Sequence, residues 1–283
     1  MISHLHELIF FHVPKCAGMS VELALGGLKR EHRIEQHWGY KTVKRFYPDE
    51  YATYTSFAVV RHPLERALSM TRFLRRFDPV YRLHLGHVSD TALVLDMVMG
   101  FNVLTQSTAD KMLPDGVTTL RFEHLDDDWR GFAADYALPS VLPRINQAPS
   151  VRTPLDTSER RLLSHVVATA FPRDYTRFGY SLPTDGDALS LADRGVVAWT
   201  ALHVWARSLP AQMDVAAQVE ARQFLEGWIG NLPDAGWQDR VHAVMRQTPV
   251  EMTGERHVRL WASALHDQVN EALGKPLWCA WRP

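Results

Sequence analysis

Apolar runs alternate with amphipathic stretches along residues 1–182 of the chain. Strands are predicted at Leu8–Val13, Arg33–His37, Phe57–Val60 and Val117–Phe122, and helices at Ser20–Leu28, Pro63–Phe77, Ser89–Met99, Trp129–Tyr136 and Ser158–Phe171. Strands and helices in alternation are typical of a parallel sheet that is covered by helices on both faces. Apart from His12, the strand at Leu8–Val13 is apolar rather than alternating, as a strand buried on both sides should be. The pattern predicts an α/β domain over residues 1–182.

A different pattern begins after residue 190. Residues 181–190 concentrate Pro, Gly, Asp and Ser, which predicts a linker. Beyond it, helical periodicity continues to about residue 275, with predicted core positions at Trp199, Leu202, Trp205, Phe224, Trp228, Val241, Val244, Leu260, Trp261, Leu265, Val269 and Leu273. We therefore expect a second domain over residues 190–283, a small all-α helical bundle.

Composition narrows the class of protein. The 283 residues are 46% hydrophobic and 22% charged, as in an ordinary globular protein with a sizeable core. No apolar run reaches the roughly 18 residues of a membrane span, and we expect no signal peptide. The net charge of −1 argues against a general nucleic-acid binder. The two cysteines, Cys16 and Cys279, form neither a CxxC nor a zinc spacing, so we expect a cytoplasmic protein without a metal site.

The first segment that carries chemistry is HVPKCAGMS, between the first predicted strand and helix. Gly18 permits a tight turn, Lys15 supplies a positive charge and Ser20 can open the helix. It differs from a Walker A motif, in which the lysine follows the glycines. Taken alone, the segment fits an ordinary strand–loop–helix junction equally well. The predicted phosphate loop consists of Pro14, Lys15, Cys16, Ala17, Gly18, Met19 and Ser20.

The second such segment is VVRHPLERALS. Arg61 directly follows a buried strand, Pro63 occupies a favoured first helical position, and Ser69 lies about two turns further on. An arginine at the end of such a strand is half buried and calls for an anion as its partner. We expect Arg66, by contrast, to pair with Glu65 or to face solvent.

Together the two segments resemble the carbohydrate-type sulfotransferases that use 3′-phosphoadenosine 5′-phosphosulfate (PAPS), where HIPKTAGTS and FxFVRNPxxRLxSxY hold the two ends of the donor. Cys16, His62 and Met70–Thr71 depart from that pattern, and further likeness lies at Thr118–Phe132, Leu142–Pro149 and Arg173–Tyr180. The resemblance implies a P-loop-like domain that transfers the sulfuryl group from PAPS to a hydroxyl of a carbohydrate, peptide or small metabolite. It also implies Lys15 at the transferred group and Arg61 and Ser69 at the 3′-phosphate, which distinguishes PAPS from ATP.

Sulfuryl transfer also needs a base for the proton of the acceptor hydroxyl. His37 is our candidate, because the resembling family places a histidine in this interval. His12, which precedes the predicted phosphate loop, is the alternative base. A solvated His37 without a catalytic role is the other interpretation that stays open.

Residues 193–280 resemble the Erv/ALR family of FAD-linked sulfhydryl oxidases, through segments at Gly195–Pro210 and Leu260–Trp278. Where that family has its CxxC, this chain has DAGW at Asp234–Trp237, so there is no dithiol to oxidise. The resemblance implies that FAD, if bound, is surrounded by Trp199, His203, His266, Asn270 and Lys275. Packing of a bundle, homodimerisation or support of a peptide acceptor are the alternatives for this region. For the whole chain, the alternative function is a flavin-binding or docking module with a non-catalytic nucleotide-binding domain.

Overall fold

In the first part of the chain, the strands and helices predicted on described residues are present in the predicted order, apart from the segment that ends at His37, and short helices that were not predicted lie between them. The computed structural model describes residues 1–27, 37–78, 88–99, 107–145, 155–184, 189–208, 214–232 and 235–247. The strands are β1 (Ile2–Ser3), β2 (Leu8–Phe11), β3 (Thr55–Val60) and β4 (Thr118–Arg121). The helices are α1 (Gly18–Ala24), α2 (Tyr40–Phe46), α3 (Pro48–Thr53), α4 (Pro63–Phe77), α5 (Asp90–Met99), α6 (Ala109–Met112), α7 (Leu125–Asp135), α8 (Thr157–Ala170), α9 (Pro172–Arg177), α10 (Leu191–Ser208), α11 (Val215–Gly230) and α12 (Ala235–Gln247), with a 3₁₀ turn at Phe122–His124.

The sheet runs in the order β1-β2-β3-β4 among the described residues. The β2–β3 and β3–β4 pairs are parallel, whereas β1 pairs antiparallel with β2, so the sheet is mixed. The expectation of a wholly parallel sheet is therefore wrong at one edge. A two-residue strand such as Ile2–Ser3 leaves no periodic signal in a sequence, which is why it was not predicted. The predicted strand Arg33–His37 lies outside the described residues except for His37, which is in a turn.

Two compact units make up the chain. The first comprises Met1–His87, Phe101–Pro154 and Phe171–Leu182, and the second Val88–Gly100, Leu155–Ala170 and Pro183–Pro283. Helices α5 and α8 precede the predicted linker but belong to the second unit, because they pack against each other and against α10. The division into a sulfotransferase-like region and a bundle at residues 182–190 stays a prediction.

The core of the first unit fixes where β2 and β3 end. Both strands are buried, and the ring centroids of Phe10 on β2 and Phe57 on β3 are 5.1 Å apart. Phe57 also packs on Phe132 of α7 at 4.4 Å, which covers the sheet with that helix. In the parallel register, Phe11 pairs with Ala58. The loops that follow β2 and β3 therefore leave the sheet at the same edge, where parallel α/β sheets bind ligands.

Tryptophans pack the described helices of the second unit. Trp199 and Leu202 of α10 are buried, as is Val241 of α12. Trp205 stacks on Phe224 with ring centroids 4.3 Å apart. Trp228, also predicted as a core residue, donates from Nε1 to the carbonyl oxygen of Ala198 at 2.8 Å. The predicted core residues after position 250 lie outside the described residues, as does the side chain of Val244.

Candidate functional site

The loop between β2 and α1 has an unusual backbone. Lys15 has a φ of 68° and Ala17 a φ of 58°, the left-handed region that residues with a Cβ seldom adopt. The carbonyl oxygen of Ala17 accepts from Ser20 N at 2.9 Å, which starts α1. Backbone strain of this kind persists where the surroundings enforce it, and it is concentrated at functional sites. The predicted phosphate loop is thus a distinct, strained turn.

His12 supports this loop from the interior. Its ring is buried, and Nδ1 lies 2.8 Å from the Oε1 atom of Glu22, a buried carboxylate on α1. A Cβ added at Gly18 would lie 2.0 Å from Cδ2 and Nε2 of the His12 ring. Only glycine therefore fits at position 18 while the histidine holds this place. The geometry makes His12 a support of the loop.

Arg61 lies against the same loop. Its Nη1 donates to the carbonyl oxygen of Lys15 at 3.3 Å, and its guanidinium lies 4.0 Å from the centroid of the Phe122 ring. The Nε atom is buried, with no hydrogen-bond partner among the described residues. Burial lowers the pKa of Arg61 from its ordinary value, which signals a desolvated cation. A desolvated arginine with an unused donor is suited to bind an anion.

Lys15 adds a second positive charge beside Arg61. Its Nζ lies 4.1 Å from the centroid of the Phe73 ring. Burial lowers the pKa of Lys15, and the charge of Arg61 lowers it further. Two cations that repel each other in a partly buried site are stabilised when anionic groups bind beside them.

Ser69 lies on α4, which follows Arg61 in the chain. The residue is half buried and stands one helical turn before Phe73. Residues i and i+4 share a face of a helix, so Ser69 lies on the face of α4 that Lys15 approaches. The structure thus brings the loop, Arg61 and this face of α4 to one place.

For Arg66, exposure to solvent, one of the two expected alternatives, is wrong, while pairing with Glu65 stays a prediction. Arg66 is 2% exposed rather than solvated, and its Nη1 donates to the carbonyl oxygen of Ser107 at 3.0 Å. Asp174 accepts from the backbone N–H groups of Ala109 at 3.2 Å and Asp110 at 2.8 Å. Burial raises the pKa of Asp174, while the charge of Arg66 lowers it. Arg66 is therefore part of the buried scaffold.

Glu123 fixes the turn that carries Arg61. Its Oε1 accepts from the backbone N–H of His62 at 2.7 Å, and its Oε2 accepts from the hydroxyl of Tyr180 at 3.0 Å. Arg121 donates from Nη2 to the carbonyl oxygens of Phe178 and Gly179, at 2.9 and 3.1 Å. The segments Thr118–Phe132 and Arg173–Tyr180 thus meet at this turn. The sequence located both segments, but it did not identify Glu123 as their link.

His37 lies at the base of the loop. Its Nδ1 is 3.1 Å from the carbonyl oxygen of His12, and the two rings meet edge to face at 4.5 Å. A ring that donates from Nδ1 leaves Nε2 as the acceptor in the neutral form. Burial, and then the neighbouring His12, lower the pKa of His37 from 6.5. A neutral imidazole with a free acceptor atom is what a general base requires.

Cys16 stands where the resembling family has threonine. Its thiol is buried and donates to the carbonyl oxygen of Pro14 at 3.7 Å. Burial raises the pKa of Cys16 to about 12, so the thiol stays neutral and unreactive. It contributes packing and this hydrogen bond to the loop.

The predicted FAD contacts lie largely beyond the described structure. Trp199 is buried, and only the backbone of His203 is described, within α10. His266, Asn270 and Lys275 lie outside the described residues. Among the residues that are described, no group of three or more His, Cys, Asp or Glu side chains is placed to hold a metal ion. In the same part of the chain, no helix combines the length and apolar character needed to cross a membrane.

Comparison with protein families bears on both ends of the chain. Residues 1–77 match the model of the Sulfotransferase family. This match contains the strained loop, Arg61 and Ser69, and it confirms the resemblance to sulfotransferases. The later segments at Thr118–Phe132 and Arg173–Tyr180 lie beyond the matched residues.

The second family match covers the helical region. Residues 196–280 match the model of the Erv1 / Alr family, which confirms the second resemblance. The chain therefore joins a segment similar to the Sulfotransferase family to a later segment similar to the Erv1 / Alr family. No curated protein and no solved structure matches the chain.

Proposed function

We propose that this protein is a PAPS-dependent O-sulfotransferase. One observation carries the proposal: two partly buried cations, Lys15 and Arg61, lie on loops at the same edge of adjacent parallel strands. Arg61 Nη1 donates to the backbone carbonyl oxygen of Lys15 at 3.3 Å, which connects the two loops. The matched Sulfotransferase family supports a sulfuryl donor as the anionic ligand. The donor PAPS carries phosphate at both ends of its ribose, which suits two separate cations.

Each cation has its own part of the donor. Lys15, on the strained loop, would bind the 5′-phosphosulfate. Arg61, with its buried unpartnered Nε, would bind the 3′-phosphate together with the hydroxyl of Ser69. Since ATP has no 3′-phosphate, this second contact would select PAPS.

The transfer itself is an in-line displacement. An oxygen of the acceptor hydroxyl forms a bond to sulfur, while the bond from sulfur to the bridging phosphate oxygen breaks and 3′,5′-ADP leaves. Lys15 would stabilise the negative charge that develops on that bridging oxygen. Nε2 of His37 would accept the proton of the acceptor hydroxyl. Because burial lowers the pKa of His37, this nitrogen carries no proton at neutral pH.

Two isomeric nucleotides test whether the protein recognises the 3′-phosphate of the donor. The compounds 3′,5′-ADP and 5′-ADP carry the same phosphates in different places, so their comparison separates phosphate position from charge. We expect thermal stabilisation of the protein by 3′,5′-ADP and little by 5′-ADP. Release of 3′,5′-ADP from PAPS, stimulated by a hydroxyl acceptor, would then establish turnover. Equal stabilisation by both isomers would contradict the PAPS assignment.

A second candidate function rests on the Erv1 / Alr match at residues 196–280. We propose that this region, if it binds FAD, does so without oxidising thiols, because DAGW replaces the cysteine pair. Visible flavin absorbance that co-purifies with the protein tests binding. Thiol oxidation by the FAD-loaded protein would contradict the second half of the proposal.

The scarcity of cysteine further leads us to place the enzyme in the cytoplasm.

A further inference from the structure

Phe73 lies beneath the ammonium group of Lys15. The 4.1 Å between Lys15 Nζ and the ring centroid is well within the range of a cation–π contact. Phe73 is 41% exposed, and its ring also packs against the Phe77 ring with centroids 5.0 Å apart. It projects from the face of α4 that also carries Ser69, one turn earlier. The ring is thus an exposed aromatic group beside the proposed donor site.

The surroundings of Lys15 explain why such a ring is useful. Lys15 lies on the strained loop, with a φ of 68° in the left-handed region. The neighbouring guanidinium of Arg61 repels the ammonium group. The negative face of an aromatic ring attracts a cation without neutralising it, as a carboxylate would. Lys15 can therefore be held in place and still bind an anion.

We propose that Phe73 is a positioning residue for Lys15. The ring restrains the ammonium group over α4 before the donor binds, which reduces the side-chain entropy lost on binding. The effect on catalysis rests on the proposed function, whereas the contact itself is a property of the free protein. Both can be measured separately.

The contact is tested on the full chain without a ligand. The chain has six lysines, and reductive methylation with ¹³C keeps their charge, so each gives one NMR signal, with Lys15 assigned from Lys15→Gln. We expect an upfield ring-current shift of the Lys15 signal that persists in Phe73→Tyr and disappears in Phe73→Leu. Phe46→Leu is the control, because Phe46 is 57% exposed on another helix, α2, whereas the Phe77 ring packs against the Phe73 ring at 5.0 Å. An unshifted Lys15 signal in the wild-type protein would overturn the proposal.

Turnover provides the second test. We expect kcat/KM for PAPS to fall about 3- to 10-fold in Phe73→Leu, to recover in Phe73→Tyr and to stay near the wild-type value in Phe46→Leu. Equal losses in the two leucine variants, or a gain in Phe73→Leu, would refute a positioning role. If the wild-type protein does not bind 3′,5′-ADP, the proposed function fails, and the NMR comparison still decides whether Phe73 holds Lys15.

Discussion

Replacing Arg61 with alanine should separate ligand binding from the stability of the fold. The guanidinium gains one hydrogen bond to Lys15 and the contact with the Phe122 ring, together worth about 1–3 kcal/mol. Its buried Nε has no partner among the described residues, and such a group costs about 1–3 kcal/mol. These effects offset each other. We expect the free energy of unfolding of Arg61→Ala to stay within about 1 kcal/mol of the wild-type value.

Nucleotide binding should respond much more strongly. A charge-assisted contact to phosphate contributes about 1.5–3 kcal/mol, which corresponds to a rise in Kd of roughly 10- to 150-fold. If Arg61 binds the 3′-phosphate, this loss applies to 3′,5′-ADP and not to 5′-AMP, which has no phosphate there. The difference between the two ligands therefore isolates the contact.

Calorimetric titration of both nucleotides into the variants measures this difference. Arg61→Lys keeps the charge but loses the planar fork, so we expect an intermediate loss. Arg72→Ala is the matched control: this residue is exposed on α4, and its charge reaches Arg61 only through space. An equal loss for 3′,5′-ADP and 5′-AMP in Arg61→Ala would refute the assignment of Arg61 to the 3′-phosphate.

Three further substitutions test the surroundings of the site. Gly18→Ala places a Cβ 2.0 Å from the imidazole beneath the loop, so chemical denaturation should show a loss of about 1–3 kcal/mol; Gly131→Ala, with nothing within 4 Å, should instead gain about 0.5–1 kcal/mol. His37→Ala should keep nucleotide affinity and lower turnover about 10²–10⁴-fold. Because burial lowers the pKa of His37, wild-type turnover should rise with pH below 6.5 and be level from neutral pH upward; a profile that still rises above pH 7 would exclude it as the base. Arg66→Ala removes the cation that counteracts burial of Asp174 and should cost about 3 kcal/mol of stability in the same denaturation assay.

The sequence identified the parts of the site that depend on local pattern. Lys15 and Arg61 each follow an apolar run, and adjacent parallel strands end at one edge of a sheet, so their proximity could be expected. The left-handed backbone at Lys15 and Ala17 left no such signal, because neither residue is a glycine. The ring of Phe73 could not be connected with Lys15 either, since its place depends on how α4 packs.

Long-range partners account for what the sequence could not predict. Arg66 donates to a carbonyl oxygen 41 residues further along the chain, and no periodicity within α4 indicates such a contact. Helices α5 and α8 were predicted as helices, but an apolar face does not specify its partner. Their place in the second unit follows from packing against α10, which comes later in the chain.

The distribution of charge explains why the fold leaves these cations for a ligand. Glu123 is the carboxylate attached to the turn that carries Arg61, and its two oxygens accept from the His62 N–H and the Tyr180 hydroxyl. Glu22, the acidic residue of α1, lies with its Oε1 atom 2.8 Å from Nδ1 of His12 on the buried side of the loop. Both carboxylates hold the backbone around the site in place. Burial lowers the pKa of Arg61 and the charge of Glu123 opposes this effect through space. Because the Glu123 oxygens accept from His62 and Tyr180, and Arg61 Nε has no hydrogen-bond partner among the described residues, the guanidinium retains a donor for an anion.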